Sequence, residues 1–178
     1  MGILAKLFGR EDAARKDADR IYNAMMVQAR LPEFYGPNKV PDNYDGRIDL
    51  LTLHLSVIIR ALNAHGEQGK RLAQAIYEVM RDDWDVALRE EGMSDTGVMK
   101  RIKPMIRLFY TRIKAYTEGI DAGSIEAALM SAMLKDTDGS FAPALSQYSL
   151  AAAAELDSKS LGEIALVEFA LPGPPSKP

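Results

Sequence analysis

The stretch Leu50-Leu51-Thr52-Leu53-His54-Leu55-Ser56-Val57-Ile58-Ile59-Arg60-Ala61-Leu62 decides the fold. Stepping from Leu51 by 3, 4, 7, 8 and 11 residues reaches His54, Leu55, Ile58, Ile59 and Leu62, and Leu50, Leu53 and Val57 form a second apolar stripe beside the first. A helical period that is apolar nearly all round predicts a central helix wrapped by others. Thr52, His54 and Ser56 interrupt it well before the roughly 18 apolar residues that a membrane span needs. Asp45 and Gly46 read as its entry, with Asp45 placed to cap free amides. The two glycines in Asn63 to Gly69 read as the turn that leaves it.

The flanking segments carry the same period. From Asp12 to Leu31 good helix formers predominate, with Ile21, Met25 and Met26 spaced to face inward. Pro32, Gly36, Pro37 and Pro41 break that run, so Leu31 to Tyr44 is expected to be irregular: proline lacks an N–H and holds the residue before it extended. Leu72 to Glu91 sets Ala73, Ile76, Tyr77, Met80, Trp84, Ala87 and Leu88 on one face. Gly92 fits a left-handed cap, and Ser94 or Asp95 restarts the chain. In the next helix Ile102, Met105, Ile106, Phe109, Ile113 and Tyr116 make the buried stripe, and Pro104 is expected to bend the first turns or delay their start. Ser124 to Leu134 and Ala142 to Asp157 read as two further helices around the turn-prone Asp136-Thr137-Asp138-Gly139-Ser140. Leu161 to Leu171 fits either a short strand or a last helical turn. The expectation is an all-α single domain of about six to seven helices: an amphipathic segment over 1–10, a helical body over 11–171, and a Pro-rich tail over 172–178 expected to be disordered.

A chain of 178 residues that is 47% hydrophobic suffices for one domain with a real core. Its net charge of -3 gives no overall field that attracts nucleic acid, and DNA is not an expected partner, although a local basic stripe remains possible. The absence of cysteine excludes disulfides, thiolate ligation and sulfur redox chemistry. Met1 to Arg10 lacks a secretory apolar run, and Glu11 and Asp12 follow too soon for a transit peptide, so the mature chain is expected to begin here. Ile3, Leu4, Leu7 and Phe8 recur at one-turn spacing beside Lys6 and Arg10. That pattern suits a lipid headgroup layer, a partner groove, or docking on the chain's own body.

The residues that carry catalysis in familiar sites are not assembled here. No Gly-x-Gly-x-x-Gly, Gly-Lys-Ser/Thr or Gly-x-Ser-x-Gly occurs, and no Glu-x-x-His. His54 lies inside an apolar stripe, where an imidazole satisfied by a neighbour is expected. Asp82, Asp83 and Asp85 are the densest acidic group. One reading uses Asp82, Asp85 and His54 as the site of a small helical metal protein or enzyme; the other treats the carboxylates as a solvated or partner-facing side, since Asp85 stands four residues from both Arg81 and Arg89. Asp138-Gly139-Ser140 lacks the remaining ligands of a calcium loop, and no cofactor is expected. Charge is more informative. Glu78 to Asp95 holds seven acidic and two basic residues, a balance of -5, whereas Thr96 to Glu118 holds six basic and one acidic, a balance of +5. Lys100, Lys103, Arg107, Tyr110 and Lys114 fall at steps of 3, 7, 10 and 14 along one helix face, opposite the apolar stripe. Two outcomes are open: neighbouring helices neutralise each other, or a basic face stays free for an acidic protein, RNA or anionic lipid.

Val40-Pro41-Asp42 with Asp45-Gly46-Arg47, the Leu-rich helix that follows, Asp82-x-x-Asp85-x-x-Leu88-Arg89-Glu90, Lys100-Arg101-Ile102-Lys103 and Phe109-Tyr110-x-Arg112 occur in an order and spacing that resemble the ubiquinol-cytochrome c chaperone family. The resemblance covers Ala14 to Tyr116, and more loosely runs to Asp157. Trp84 and Pro104 depart from it, standing where methionine and lysine are expected. The resemblance implies an all-helical, non-enzymatic assembly factor of the cytochrome bc complex, of the bacterial branch, at the cytoplasmic side of the inner membrane. The implied partners are apocytochrome b or another complex III component, with the ribosome, a small assembly partner or an anionic membrane surface as further contacts. Asp45, Arg47, Asp82, Asp85, Arg89, Lys100, Arg101, Lys103, Arg107 and Tyr110 are the candidate partner-binding residues. Met25, Met26, Met80 and Met105 are either core or the adaptable lining of a client groove.

Overall fold

The computed structural model describes residues 3–175, with side chains described from residue 13 onward. Among them are seven α-helices: α1 (Ile3–Ala29), α2 (Tyr44–Asn63), α3 (Gly66–Glu90), α4 (Asp95–Asp121), α5 (Glu126–Ser131), α6 (Ala142–Asp157) and α7 (Leu161–Leu166). A 3-10 turn, Pro32–Phe34, follows α1, and an isolated bridge joins Tyr35 to Val40. No strand occurs among the described residues.

The second helix is the axis, and α1, α3, α4 and α6 all pack on it. Every residue from Leu50 to Ile58 is buried. Such a helix can hold polar side chains only if each is satisfied, and here they turn back on their own backbone. Thr52 Oγ1 donates to Ile48 O at 2.8 Å, Ser56 Oγ to Thr52 O at 2.6 Å, and His54 Nδ1 meets Leu50 O at 2.8 Å. The other imidazole nitrogen, Nε2, lies 2.8 Å from Tyr148 Oη of α6. Since Leu50 O can only accept, Nδ1 carries the proton and Nε2 accepts from Tyr148, whose oxygen in turn accepts from Gln28 Nε2 of α1 at 3.1 Å. Phe34 closes the site edge-on to both rings, with centroids at 5.5 Å from His54 and 5.1 Å from Tyr148. The expected core histidine is therefore a three-helix clamp.

Several boundaries differ from expectation, each for a local reason. Asn43, not Asp45, caps α2, its Oδ1 accepting from Gly46 N at 2.9 Å, and Asp45 lies in the first turn. The turn expected over Asn63 to Gly69 occupies only Ala64 and His65, because Gly66 takes a left-handed φ of +65° and starts α3 at once. Gly69 lies within the helix, where a Cβ would stand 1.8 Å from Leu62 O; it is small because α2 and α3 touch. Gly92, at φ +83°, ends α3 as expected, and Ser94 caps α4 through Gly97 N at 3.3 Å. Pro104 does not delay α4, which runs through it. The proline is exposed, so the Lys100 carbonyl that loses its partner stays hydrated.

Ile102, Phe109 and Tyr116 of the α4 stripe are buried, while Met105, Ile106 and Ile113 are half-buried. Helix α5 spans six residues and gives way to turns before Leu134. Leu161 to Leu166 is helical, with Ser160 and Glu163 forming a reciprocal capping box, so the helical alternative holds there. Residues 167–175 continue without regular structure, and Pro172 O accepts from Gln28 Nε2 at 3.1 Å. The side-chain pattern expected over 1–10 and the last three residues of the tail lie outside the described residues.

Candidate functional site: a charged cleft beside an open basic face

Beside the N-terminal turn of α2 a cleft of about 280 Å³ opens between α2, Trp84 of α3, α4 and residues 132–136. Trp84 and Phe109 form its back wall, edge-to-face with centroids 5.9 Å apart. Met105 and the exposed Leu108 extend the apolar surface to the mouth. A second hollow of about 500 Å³ shares Tyr44, Asp45 and Arg101 with the first and adds Leu88, Glu91 and Met93. A third, about 190 Å³, opens on the other side of Tyr44 against Tyr22, Met26 and Leu51, under Arg30 and Arg47.

The cleft is floored by an ion pair. Arg112 Nε of α4 donates to Asp49 Oδ1 of α2 at 3.3 Å, with both side chains largely withdrawn from water. Burial raises the Asp49 carboxyl above its ordinary range, against the opposing pull of Arg112. Behind the pair lies Tyr116, fully buried, whose hydroxyl has no hydrogen-bond partner among the described residues. Burial, reinforced by Asp49, raises this phenol as well. A single long hydrogen bond and an unsatisfied hydroxyl make this floor polar but under-bonded, unlike the self-satisfied core of α2.

The candidate residues divide into three groups. Asp45 and Arg101 both line the first two hollows. Arg47 belongs to the third, lying 5.8 Å over the Tyr35 ring and 2.8 Å from Asp42 Oδ1. Asp82, Asp85 and Arg89 are engaged within the fold: Asp82 receives Arg15 at 3.0 Å and Arg81 at 2.9 Å, and Arg89 binds Asp85 at 2.8 Å and also Asp95, tying α3 to α4. These contacts hold the Asp82 carboxyl below its usual range, burial notwithstanding, and raise the Arg89 guanidinium. Lys100, Lys103, Arg107 and Tyr110 form the third group, exposed along α4.

That distribution decides between the two charge outcomes. Asp82 and Asp85 of α3 find arginines of α1 and α3, Tyr22 Oη donates to Asp83 at 2.8 Å and Gln74 Nε2 to Glu78 at 2.9 Å, and none of these carboxylates pairs with a cation of α4 among the described residues. Lys100, Arg101, Lys103 and Arg107 make no ion pair with any described residue, whereas Arg112 is held by Asp49 and Lys114 lies 3.9 Å from Glu118. The metal or enzyme reading loses its geometry: His54 is enclosed with Tyr148 while Asp82 and Asp85 pair with arginines. No group of three His, Cys, Asp or Glu side chains among the described residues is arranged to hold a metal ion. Of the four methionines, Met25 and Met80 are core, and Met26 and Met105 line hollows.

Sequence reasoning missed Asp49 and Arg112. Each had a signal: a lone charge on an apolar face, Asp49 just before the Leu-rich run and Arg112 between Phe109 and Tyr116, and opposite lone charges of that kind tend to find each other.

The fold is all-helical among the described residues, with an aromatic-walled cleft and a cationic helix face on which Lys100, Lys103 and Arg107 are free of ion pairs. A profile of the family described as Ubiquinol-cytochrome C chaperone matches residues 38–170, and the chain belongs to that family. The crystal structure of the Cbp3 homolog from Brucella abortus is similar over 99% of this chain and 100% of that one, with a TM-score of 0.81 and 29% identity. The mouse protein named ubiquinol-cytochrome c reductase complex assembly factor 1 is 26% identical over 112 residues, which make up 62% of this chain and 38% of that protein. Its Xenopus laevis counterpart is 23% identical over 101 residues, 57% of this chain and 50% of the relative. The matched stretch thus covers half or less of these curated relatives. No helix among the described residues is long and apolar enough to cross a membrane.

Proposed function

We propose that the chain is a non-enzymatic chaperone for assembly of ubiquinol-cytochrome c reductase, holding newly made cytochrome b at the cytoplasmic face of the membrane. The observation that carries this reading is the overlap of family and site: the matched span, 38–170, contains every residue of the Trp84–Phe109 cleft and the whole of the basic α4 face. The names of the mouse and Xenopus relatives, which are assembly factors of that complex, support the client class.

Physically, a client that is apolar and newly made needs a surface that adapts without folding around one shape. Met105 and Leu108 beside a rigid aromatic wall supply adaptable contact, since a thioether repacks at little cost. Asp45 and Arg101 at the mouth, with Arg47 at the neighbouring hollow, give a client segment a fixed direction through charge. Arg89, held by Asp85 and bound to Asp95, ties α3 to α4, and Asp82 ties α3 to α1 through Arg15, so that the cleft keeps its width. None of these roles makes or breaks a bond.

The experiment is capture of newly synthesised cytochrome b by the tagged chain. Met105→Glu and Leu108→Glu place carboxylates on the cleft lip, where they are tolerated by a half-exposed position but not by an apolar client. Capture is expected to fall at least several-fold while the thermal midpoint stays within a few degrees. Undiminished capture would remove the cleft from the account.

A further inference from the structure

Helix α4 carries two surface properties at once. Lys100, Lys103 and Arg107 are exposed and free of ion pairs among the described residues, and Lys114 is held only by an exposed contact of 3.9 Å to Glu118. These four lie within about 60° of one another around the helix. Beside them stand exposed apolar side chains. Of the seven large hydrophobic residues that are exposed among the described residues, three belong to this helix: Met99 at 54%, Leu108 at 44% and Tyr110 at 53%. Met99 and Tyr110 flank the cations directly, at about 20° to 40° from the nearest lysine.

We propose that the solvent face of α4 lies flat on an anionic phospholipid surface, with Lys100, Lys103, Arg107 and Lys114 over the phosphates and Met99 and Tyr110 entering the headgroup layer. The proposal deepens the chaperone reading, on which its biological sense rests.

Each alternative polyanion predicts a different surface. Single-stranded RNA is gripped in a basic groove with aromatic rings free for stacking. Here the cations lie along the outer face of a single helix rather than in a groove, and the one exposed ring in the stripe, Tyr110, is already packed 5.4 Å from Tyr77 and 5.8 Å from Phe109. An acidic protein would satisfy the cations but gives Met99 no reason to be exposed beside them. A lipid interface accounts for both: apolar side chains gain by entering the acyl boundary, tyrosine favours the headgroup level, and each basic side chain gains from the negative surface potential. No acidic residue lies between Thr96 and Thr117, so along twenty-two residues nothing on the helix opposes the field.

The test is sedimentation of the full chain with vesicles of phosphatidylcholine alone and of phosphatidylcholine with phosphatidylglycerol, at low and at raised salt. The chain is expected to bind the anionic vesicles only, and less at raised salt. At roughly fivefold per cation, the triple change Lys100→Gln, Lys103→Gln, Arg107→Gln should weaken binding on the order of a hundredfold. The change Lys16→Gln, Lys70→Gln, Arg71→Gln removes the same charge elsewhere and should leave binding nearly unaltered. Met99→Ser with Tyr110→Ser should weaken vesicle binding several-fold and leave any binding to polyuridylate unaltered.

Equal loss in both triple variants, equal binding to uncharged vesicles, or persistence of binding through residues 1–10 despite the α4 changes would overturn the proposal, as would tight polyuridylate binding with none to vesicles. Thermal midpoints of the variants, all at exposed positions, verify that each is folded. Failure here with undiminished client capture removes the lipid contact and leaves the chaperone reading standing; vesicle binding without capture does the reverse.

Discussion

At His54 the energetics of one side chain can be followed through pH. Burial lowers its pKa from 6.5 to about 4, partly offset by the hydrogen bond to Leu50 O. Between those values the unfolded chain takes up a proton that the folded chain refuses, so stability is full above pH 6.5 and falls as pH drops towards 4, by roughly 3 kcal/mol in all. Urea midpoints of the native chain should fall between pH 6.5 and 5, and His54→Gln, less stable at pH 7, should show a flatter slope over that interval. Identical slopes would mean that His54 is not the buried neutral clamp. Tyr116 makes the opposite kind of prediction. Its hydroxyl is buried without a partner among the described residues, which costs about 1–3 kcal/mol, so Tyr116→Phe should raise the thermal midpoint. A lower midpoint would show that the hydroxyl is satisfied.

At the scale of elements, α2, α3 and α4 were legible in the sequence because each buries a face with a helical period, and α6 because it is rich in alanine and leucine; period and propensity are both local information. Ala142–Asp157 was read to the residue. The rest was not local. Gly69 and Gly66 look alike as glycines near a turn, yet one frees a left-handed backbone and the other admits a neighbouring helix. Substitution separates the two roles. Alanine in a helix interior ordinarily gains about 1 kcal/mol over glycine. Gly69→Ala should instead lose about 1–3 kcal/mol by driving Cβ into Leu62 O, while Gly162→Ala in α7, with nothing within 4 Å of the new atom, should be neutral or better. Chemical denaturation of the two variants measures the contrast, and a stabilised Gly69→Ala would mean that α2 and α3 are not in contact there.

For the whole molecule, the sequence displayed the opposed charges of α3 and α4 but not their partners. Balances of -5 and +5 on consecutive helices suggest mutual cancellation, and the fold denies it: among the described residues no carboxylate of α3 pairs with a cation of α4, since Asp82 takes Arg15 of α1 and Arg81, and Asp85 takes Arg89. The cleft was illegible for a related reason. Asp49 and Arg112 are separated by 63 residues and meet only because α2 and α4 pack, so no spacing rule finds them. What remains after these internal pairs is a molecule with its apolar cleft and its free cations on the same helix, α4, which is the arrangement that the proposed client and lipid contacts use.

Loss of the gene in its host tests the central claim most directly, read as assembled ubiquinol-cytochrome c reductase activity and as b-type haem absorbance in the membranes. The account predicts that both fall in the deletion strain and return with the native chain, but return only in part with Met105→Glu and Leu108→Glu. Normal levels of the complex in the deletion strain would contradict it.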